Sequence, residues 1–241
     1  GDLHLADEVL KTMIEAYRNG RTDCCPNEKA FVTAISAWER SEKEGVPDEA
    51  FRLFHDMVSL YDSGIEECRP SRKIFGMLMV ILAKRDHESK LQMAQNLISQ
   101  METHGVTPDL TILNWYMRVC TTIAASKDPI HQRESWTEAL LAFNILHEKG
   151  LANSHSYNSI FHACHKFVLD PQERYSFFRD TYYKCRSDGQ VDRKILTSLR
   201  RFLSPKVYRH LTKLDPKDNG IKMKVYRELN NLDAGDSGAT R

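Results

Sequence analysis

The chain has 241 residues with 34 Lys+Arg, 33 Asp+Glu and a formal net charge of +1, so neither sign dominates overall. Hydrophobic residues at 41% and charged ones at 28% are typical of a soluble folded protein. The most apolar run, Met77 to Ala83, falls far short of the ~20 residues of a membrane span. Cys24, Cys25, Cys68, Cys120, Cys164 and Cys185 show no C-x-x-C pair and no even spacing, which excludes a disulfide framework and points to thiols in a reduced compartment.

From the start, residues 3–18 read as an amphipathic helix and 20–27 as a polar connection. Residues 28–39 form a second helix with Phe31, Ile35 and Trp38 on its inner face. Pro47-Asp48-Glu49 opens the next, whose apolar face is Phe51, Phe54, Met57, Val58 and Tyr61. IFGMLMVILA, residues 74–83, is apolar enough for burial on more than one side. Gly76 within it costs about 1 kcal/mol relative to alanine, which points to tight helix packing or close approach of a backbone or ligand. In 94–114, Leu97, Ile98 and Met101 share one helical face and Gly105 closes the helix. Pro108-Asp109 then starts another. TTIAASKDPIHQRESW, residues 121–136, reads as a loop insertion with a turn at Asp128-Pro129. Ser135 and Glu138 resemble a capping box ahead of the apolar run 139–146. A helix carrying YNSIFHACH, residues 157–165, and one over 171–185 are then expected, followed by a short pair over 193–214. The tail 215–241 is expected to be mostly disordered apart from a helix near Met223 to Leu232.

One junction recurs along this series. Pro26-Asn27, Pro70-Ser71, Pro108-Asp109 and Ala152-Asn153 each precede an apolar helix. The helices between them carry a small residue seven positions before a large apolar one: Ala6 and Met13, Ala50 and Met57, Ala94 and Met101, Ala139 and Leu146. The blocks 28–71, 72–109, 110–153 and 154–192 are 44, 38, 44 and 39 residues long. Helix pairs at such a period bury their apolar faces only against neighbours, so the fold class is all-α and the architecture an α-solenoid of helix-turn-helix repeats. The expected domains are a solenoid over 1–214 and the tail. Within the solenoid, 3–18 is an orphan second helix, 193–214 is a capping pair, and the start in mid-pair suggests a piece of a longer protein.

The Gly-x-x-Pro-Asp junction at Gly105, the small residue opening the second helix and the Met closing it resemble the pentatricopeptide repeat, in a divergent form. Tyr157-Asn158 in GLANSHSYN matches the usual start of that family's first helix. The Trp, Leu-Gly and Tyr signature of the tetratricopeptide repeat is missing from the expected offsets. The resemblance spans roughly residues 1–200. It implies a right-handed solenoid that binds single-stranded RNA along the face lined by first helices, one base per repeat. It also implies a mitochondrial or chloroplast setting, protein partners in an organellar RNA complex, and work in RNA processing, stability or translation. Carried over, the base-contacting pairs are Val32 with Ser71, Gly76 with Asp109, Asn114 with Asn153, and Asn158 with Asp192. The last two pairs carry amide and carboxylate groups suited to a pyrimidine edge; Val32 and Gly76 offer neither donor nor acceptor. The second repeat position, usually aliphatic in the family, is Lys29, Lys73, Thr111, His155 and Lys194, which suits phosphate contact instead.

Charge is distributed unevenly. Residues 181–241 hold 14 Lys+Arg against 7 Asp+Glu, whereas residues 1–180 hold 20 against 26. The basic end, with Lys194, Arg200 and Arg201, fits contact with a nucleic-acid backbone. His162, Cys164 and His165 do not make a metal site, because Cys164 points off the face shared by the two histidines and no second ligand pair follows. No carboxylate pair, activated nucleophile or glycine-rich phosphate loop stands in a recognisable setting, so neither enzyme activity nor a cofactor is expected. The rival reading is a scaffold that grips a peptide or partner helix in the concave groove of the solenoid.

Overall fold

The structure, a computed structural model, describes residues 2–122, 129–217 and 223–231. Among these, every regular element is helical. The chain divides into two compact units, residues 1–119 and 120–241, with the boundary inside one helix.

Unit one contains α1 (Asp2–Arg18), α2 (Glu28–Arg40), α3 (Val46–Asp62), α4 (Arg72–Lys84), α5 (Lys90–Thr103) and most of α6 (Leu110–Thr122). Single 3-10 turns at Thr22–Cys24 and Glu66–Cys68 fill the two longest connections after second helices. The core is built from the expected positions. Ala50 and Ala94 are fully buried, Met57 and Met101 likewise, and Phe31, Ile35, Phe54, Ile74, Phe75 and Leu78 interleave with them. A small residue opposite a large one lets neighbouring helices approach while the methionine fills the gap.

Helix ends follow from local chemistry. Gly105 sits at φ 69, where an L-residue is disfavoured, and its turn lets Val106 N–H donate to Met101 O at 2.7 Å. The same closure recurs at Gly20, Gly64, Gly150 and Gly189. Gly45, also left-handed, precedes α3, and Pro47 occupies its first turn, where no backbone donor is needed. Pro108 lies outside α6 rather than in its first turn, and Asp109 is the cap.

Unit two holds the end of α6, α7 (Pro129–Glu148), α8 (Ser154–Phe167), α9 (Pro171–Ser187), α10 (Arg193–Phe202), α11 (Pro205–Thr212) and α12 (Met223–Asn231). The loop reading of residues 121–136 is corrected here, because α7 starts at Pro129 and runs unbroken for 20 residues. Ser135 is therefore interior to the helix, fully buried, with its hydroxyl donating to His131 O at 2.8 Å. A serine can back-bond to the carbonyl four residues earlier as readily as it caps, and the propagated helix decides between the two. Asp128 and residues 123–127 lie outside the described residues. In the tail, α12 packs on α9, with Leu229 buried; 218–222 and 232–241 lie outside the described residues.

Candidate nucleic-acid interface

Ser71, Asp109, Asn153 and Asp192, the junction residues expected to read bases, are all helix caps, and so is Asn27 at the first junction. Asn27 Oδ1 accepts from Ala30 N–H at 3.1 Å and Ser71 Oγ from Lys73 N–H at 3.1 Å. Asp109 Oδ1 accepts from Ile112 N–H at 2.9 Å, Asn153 Oδ1 from Ser156 N–H at 3.1 Å, and Asp192 Oδ1 from Ile195 N–H at 2.9 Å. Each satisfies a backbone donor that the first turn of a helix leaves over, a task that by itself selects Ser, Asp and Asn.

Two residues beyond each cap stand Lys29, Lys73, Thr111, His155 and Lys194, all exposed. They project from the first turn of a helix, where the macrodipole is positive and anions are favoured. Three residues further in, the environment differs from repeat to repeat. Val32 is 9% exposed, and Asn114 is 7% exposed with its Nδ2 donating to Leu110 O at 2.9 Å. Gly76 is half-buried, and a Cβ added there would meet Ile112 Cγ1 at 3.9 Å, ordinary contact. Neither the tight helix packing nor the close backbone approach read from the sequence is therefore what the space at Gly76 requires. Asn158 is half-buried and its Oδ1 accepts from Ser198 Oγ at 2.6 Å, which leaves the amide Nδ2 as its donor edge.

Within unit one, the first helices α2 and α4 run side by side in the same direction. Ser71 Oγ at the start of α4 donates to Glu28 at the start of α2. At the other ends, Lys84 Nζ is 2.8 Å from Glu39 Oε1, and the Arg85 guanidinium donates to the carbonyls of Glu39 and Ser41. Lys29 and Lys73 thus share one edge of this unit. Second helices pair as well, through Arg52 of α3, which bonds Asp7 of α1 at 3.1 Å along with Glu49 and Asp56 of its own helix.

In unit two, α8 and α10 are the corresponding neighbours. Ser154 N–H donates to Gln190 Oε1 at 3.1 Å, Ser198 bridges Asn158 and His162, and Phe202 lies between two imidazoles. His165 stacks on Phe202 at 4.2 Å and His162 meets it edge-on at 4.8 Å. Burial first, then the Arg201 charge, holds His162 below the ordinary histidine range; burial, Arg174 and Arg201 do the same for His165. Arg201 is exposed, whereas Arg200 is half-buried and donates to Pro216 O at 3.3 Å. Asp192 caps α10 in this unit, and Asn114 and Asn153 fall in different units.

Several features were not anticipated. Tyr157 is buried, and its hydroxyl donates to Asp188 Oδ2 at 2.5 Å with His147 Nδ1 3.3 Å away, joining α7, α8 and the end of α9. Burial first and then the Asp188 carboxylate push the Tyr157 phenol well above its ordinary range. Arg186 donates to Leu229 O at 3.0 Å, and the Asn230 amide bonds both backbone groups of Val191, at 2.9 and 3.1 Å. An apolar groove of about 420 Å³ between α1 and α2 is lined by Leu5, Ala6, Val9, Leu10, Ala30 and Thr33. The spacing of α1 gives the groove away in retrospect, since Leu5 and Val9 are apolar one turn apart; the contacts made by Asn230 had no such signal.

No protein-family model matches the chain, and no curated protein matches it.

Proposed function

We propose that this protein binds single-stranded RNA along the exposed first turns of its first helices, as a divergent pentatricopeptide-type, right-handed solenoid. The observation that carries the reading is the exposed cation repeated two residues after a capped helix start, at Lys29, Lys73 and Lys194. A lysine ammonium there adds a mobile charge to the fixed positive end of the helix, a combination suited to phosphate. Arg201, exposed at the end of α10, extends the basic character of that repeat. Base reading on this view is sparse. Asn158 offers a held amide with a donor edge, Asn114 turns its amide to its own helix, and the caps Ser71, Asp109, Asn153 and Asp192 spend an acceptor on the backbone. The expected result is weak sequence preference, toward pyrimidines, on a salt-dependent backbone affinity. The reading carries with it an organellar role in RNA processing, stability or translation, and partners in an organellar RNA complex.

The test is fluorescence anisotropy with short single-stranded poly-U, poly-C, poly-A and poly-G RNAs at two salt concentrations. Binding is expected to weaken steeply with salt, and replacing Lys29, Lys73 and Lys194 by Ala is expected to lower the log–log salt slope by about 2, near 0.7 per lost phosphate contact. Asn158→Ala should remove the pyrimidine preference while leaving that slope intact. Absence of binding to all four RNAs at low salt sinks the proposal. The apolar groove at Leu5 and Val9 favours the second reading, a scaffold for a protein partner, and a salt-insensitive interaction would select it.

A further inference from the structure

The connections that precede α2 and α4 each bring a thiol to the same atom. Cys25 Sγ lies 3.5 Å from the carbonyl oxygen of Pro26, and Cys68 Sγ lies 3.3 Å from that same oxygen, although 43 positions separate the two cysteines. The two sulfurs therefore lie no farther apart than the sum of those contacts, a gap that side-chain rotation and a small loop shift can close. They differ in access. Cys68 is fully buried at the end of its 3-10 turn, whereas Cys25 is half-buried and reachable from solvent. Cys25 also faces Glu67, whose Oε2 is 3.9 Å away, and the hydroxyl of Tyr17 from α1.

We propose that Cys25 and Cys68 form a hydroperoxide-sensitive pair that closes to a disulfide, tying the connection before α2 to the connection before α4. The pairing does not depend on the RNA-binding reading. In the first step the Cys25 sulfur attacks a peroxide oxygen and the O–O bond breaks. The Cys25 sulfenic acid forms, and the leaving hydroxide takes the thiol proton to become water. In the second, the Cys68 sulfur attacks the Cys25 sulfur, the S–O bond breaks, and the departing hydroxide takes the Cys68 proton. Two thiols lose two electrons in all, and one hydroperoxide is reduced; with hydrogen peroxide the products are the disulfide and two waters.

The surroundings set the pace. Burial pushes the Cys68 thiol up to about 12, with Cys25 and Glu67 adding to the effect. Burial and the Glu67 carboxylate raise Cys25 as well, against a small opposing bond from Tyr17. Because the thiolate is the nucleophile, closure is slow at neutral pH and accelerates in alkaline solution.

The full reduced chain, treated with hydrogen peroxide, alkylated and digested with trypsin without reduction, gives the answer. The expected product is the peptide of residues 22–29, alkylated at Cys24, joined to that of residues 53–72, two hydrogens lighter than the combined mass of those two peptides and released by dithiothreitol. The treated protein should melt at least about 5 °C higher than the reduced one, since the bond closes a loop of over forty residues. Cys24→Ser should retain both effects, and Cys25→Ser should lose both while keeping the helical circular-dichroism spectrum of the parent. Sulfinic acid at Cys25 without a cross-link, a Cys24 to Cys25 bond, disulfide-linked dimers, or loss of the link in Cys24→Ser would each overturn the assignment.

Discussion

Replacing Lys90 by Met should make the protein more stable at neutral pH. Lys90 opens α5 with its side chain 3% exposed, and among the described residues its ammonium has only long contacts, 3.4 Å to Arg85 O and 3.4 Å to Asp86 Oδ1. Asp86 is 89% exposed, so water screens its attraction, which is worth about 0–1 kcal/mol. The carbonyl contact adds about 1 kcal/mol, and withdrawing an ammonium from water costs several kcal/mol, so removal should gain roughly 1–3 kcal/mol. Burial accordingly holds the Lys90 pKa below its ordinary value of 10.5. Below the folded-state pKa the full penalty of the buried charge applies. As pH rises through that value toward 10.5, the folded protein releases the proton first, the unfolded chain binds more protons, and stability rises. The gap between wild type and Lys90→Met should therefore shrink with pH. Urea unfolding followed by circular dichroism at pH 7 and pH 9.5 measures both quantities. A variant less stable than wild type by over about 1 kcal/mol at pH 7, or a gap that widens with pH, would show that the two long contacts outweigh desolvation.

Other substitutions separate satisfied from unsatisfied groups. Tyr157→Phe removes the donor to Asp188 and should cost about 1–2 kcal/mol by urea titration. Tyr182→Phe should fall within about 0.5 kcal/mol of wild type or gain stability, because among the described residues the buried Tyr182 hydroxyl finds no hydrogen-bond partner. Gly76→Ala should stabilise by about 1 kcal/mol, since its Cβ has room beside Ile112, whereas Gly105→Ala should cost roughly 1–2 kcal/mol at a φ of 69; thermal melts of the two variants decide.

Sequence periodicity exposed much of this fold because the repeat depends on a few residue types with local jobs. A helix that ends at a left-handed glycine and restarts at an Asn, Ser or Asp leaves those letters at a regular spacing. The alanines and methionines that meet across helices do the same. Position 135 escaped this logic because serine has two local hydrogen-bonding modes, and only the length of α7 chooses between them. The candidate interface was legible to a lesser degree. The exposed lysines follow from register alone, but whether an asparagine presents its amide outward depends on a neighbour some forty residues away. Ser198 holds Asn158, while Asn114 bonds its own helix, and nothing in either tripeptide tells them apart. Lys90 escaped for the converse reason: a charged residue at a helix start normally lies in water, and only the packing of unit one buries it.

The glycine closures and side-chain caps also bear on how the chain folds. Every junction that carries both settles its backbone hydrogen bonds within a few residues, so it can form before any distant segment arrives. Contacts between successive repeats, such as Arg52 with Asp7 or Ser198 with Asn158, span 45 and 40 positions, about one repeat length. Contacts this local in sequence favour rapid folding, with helix pairs forming before more distant segments pack.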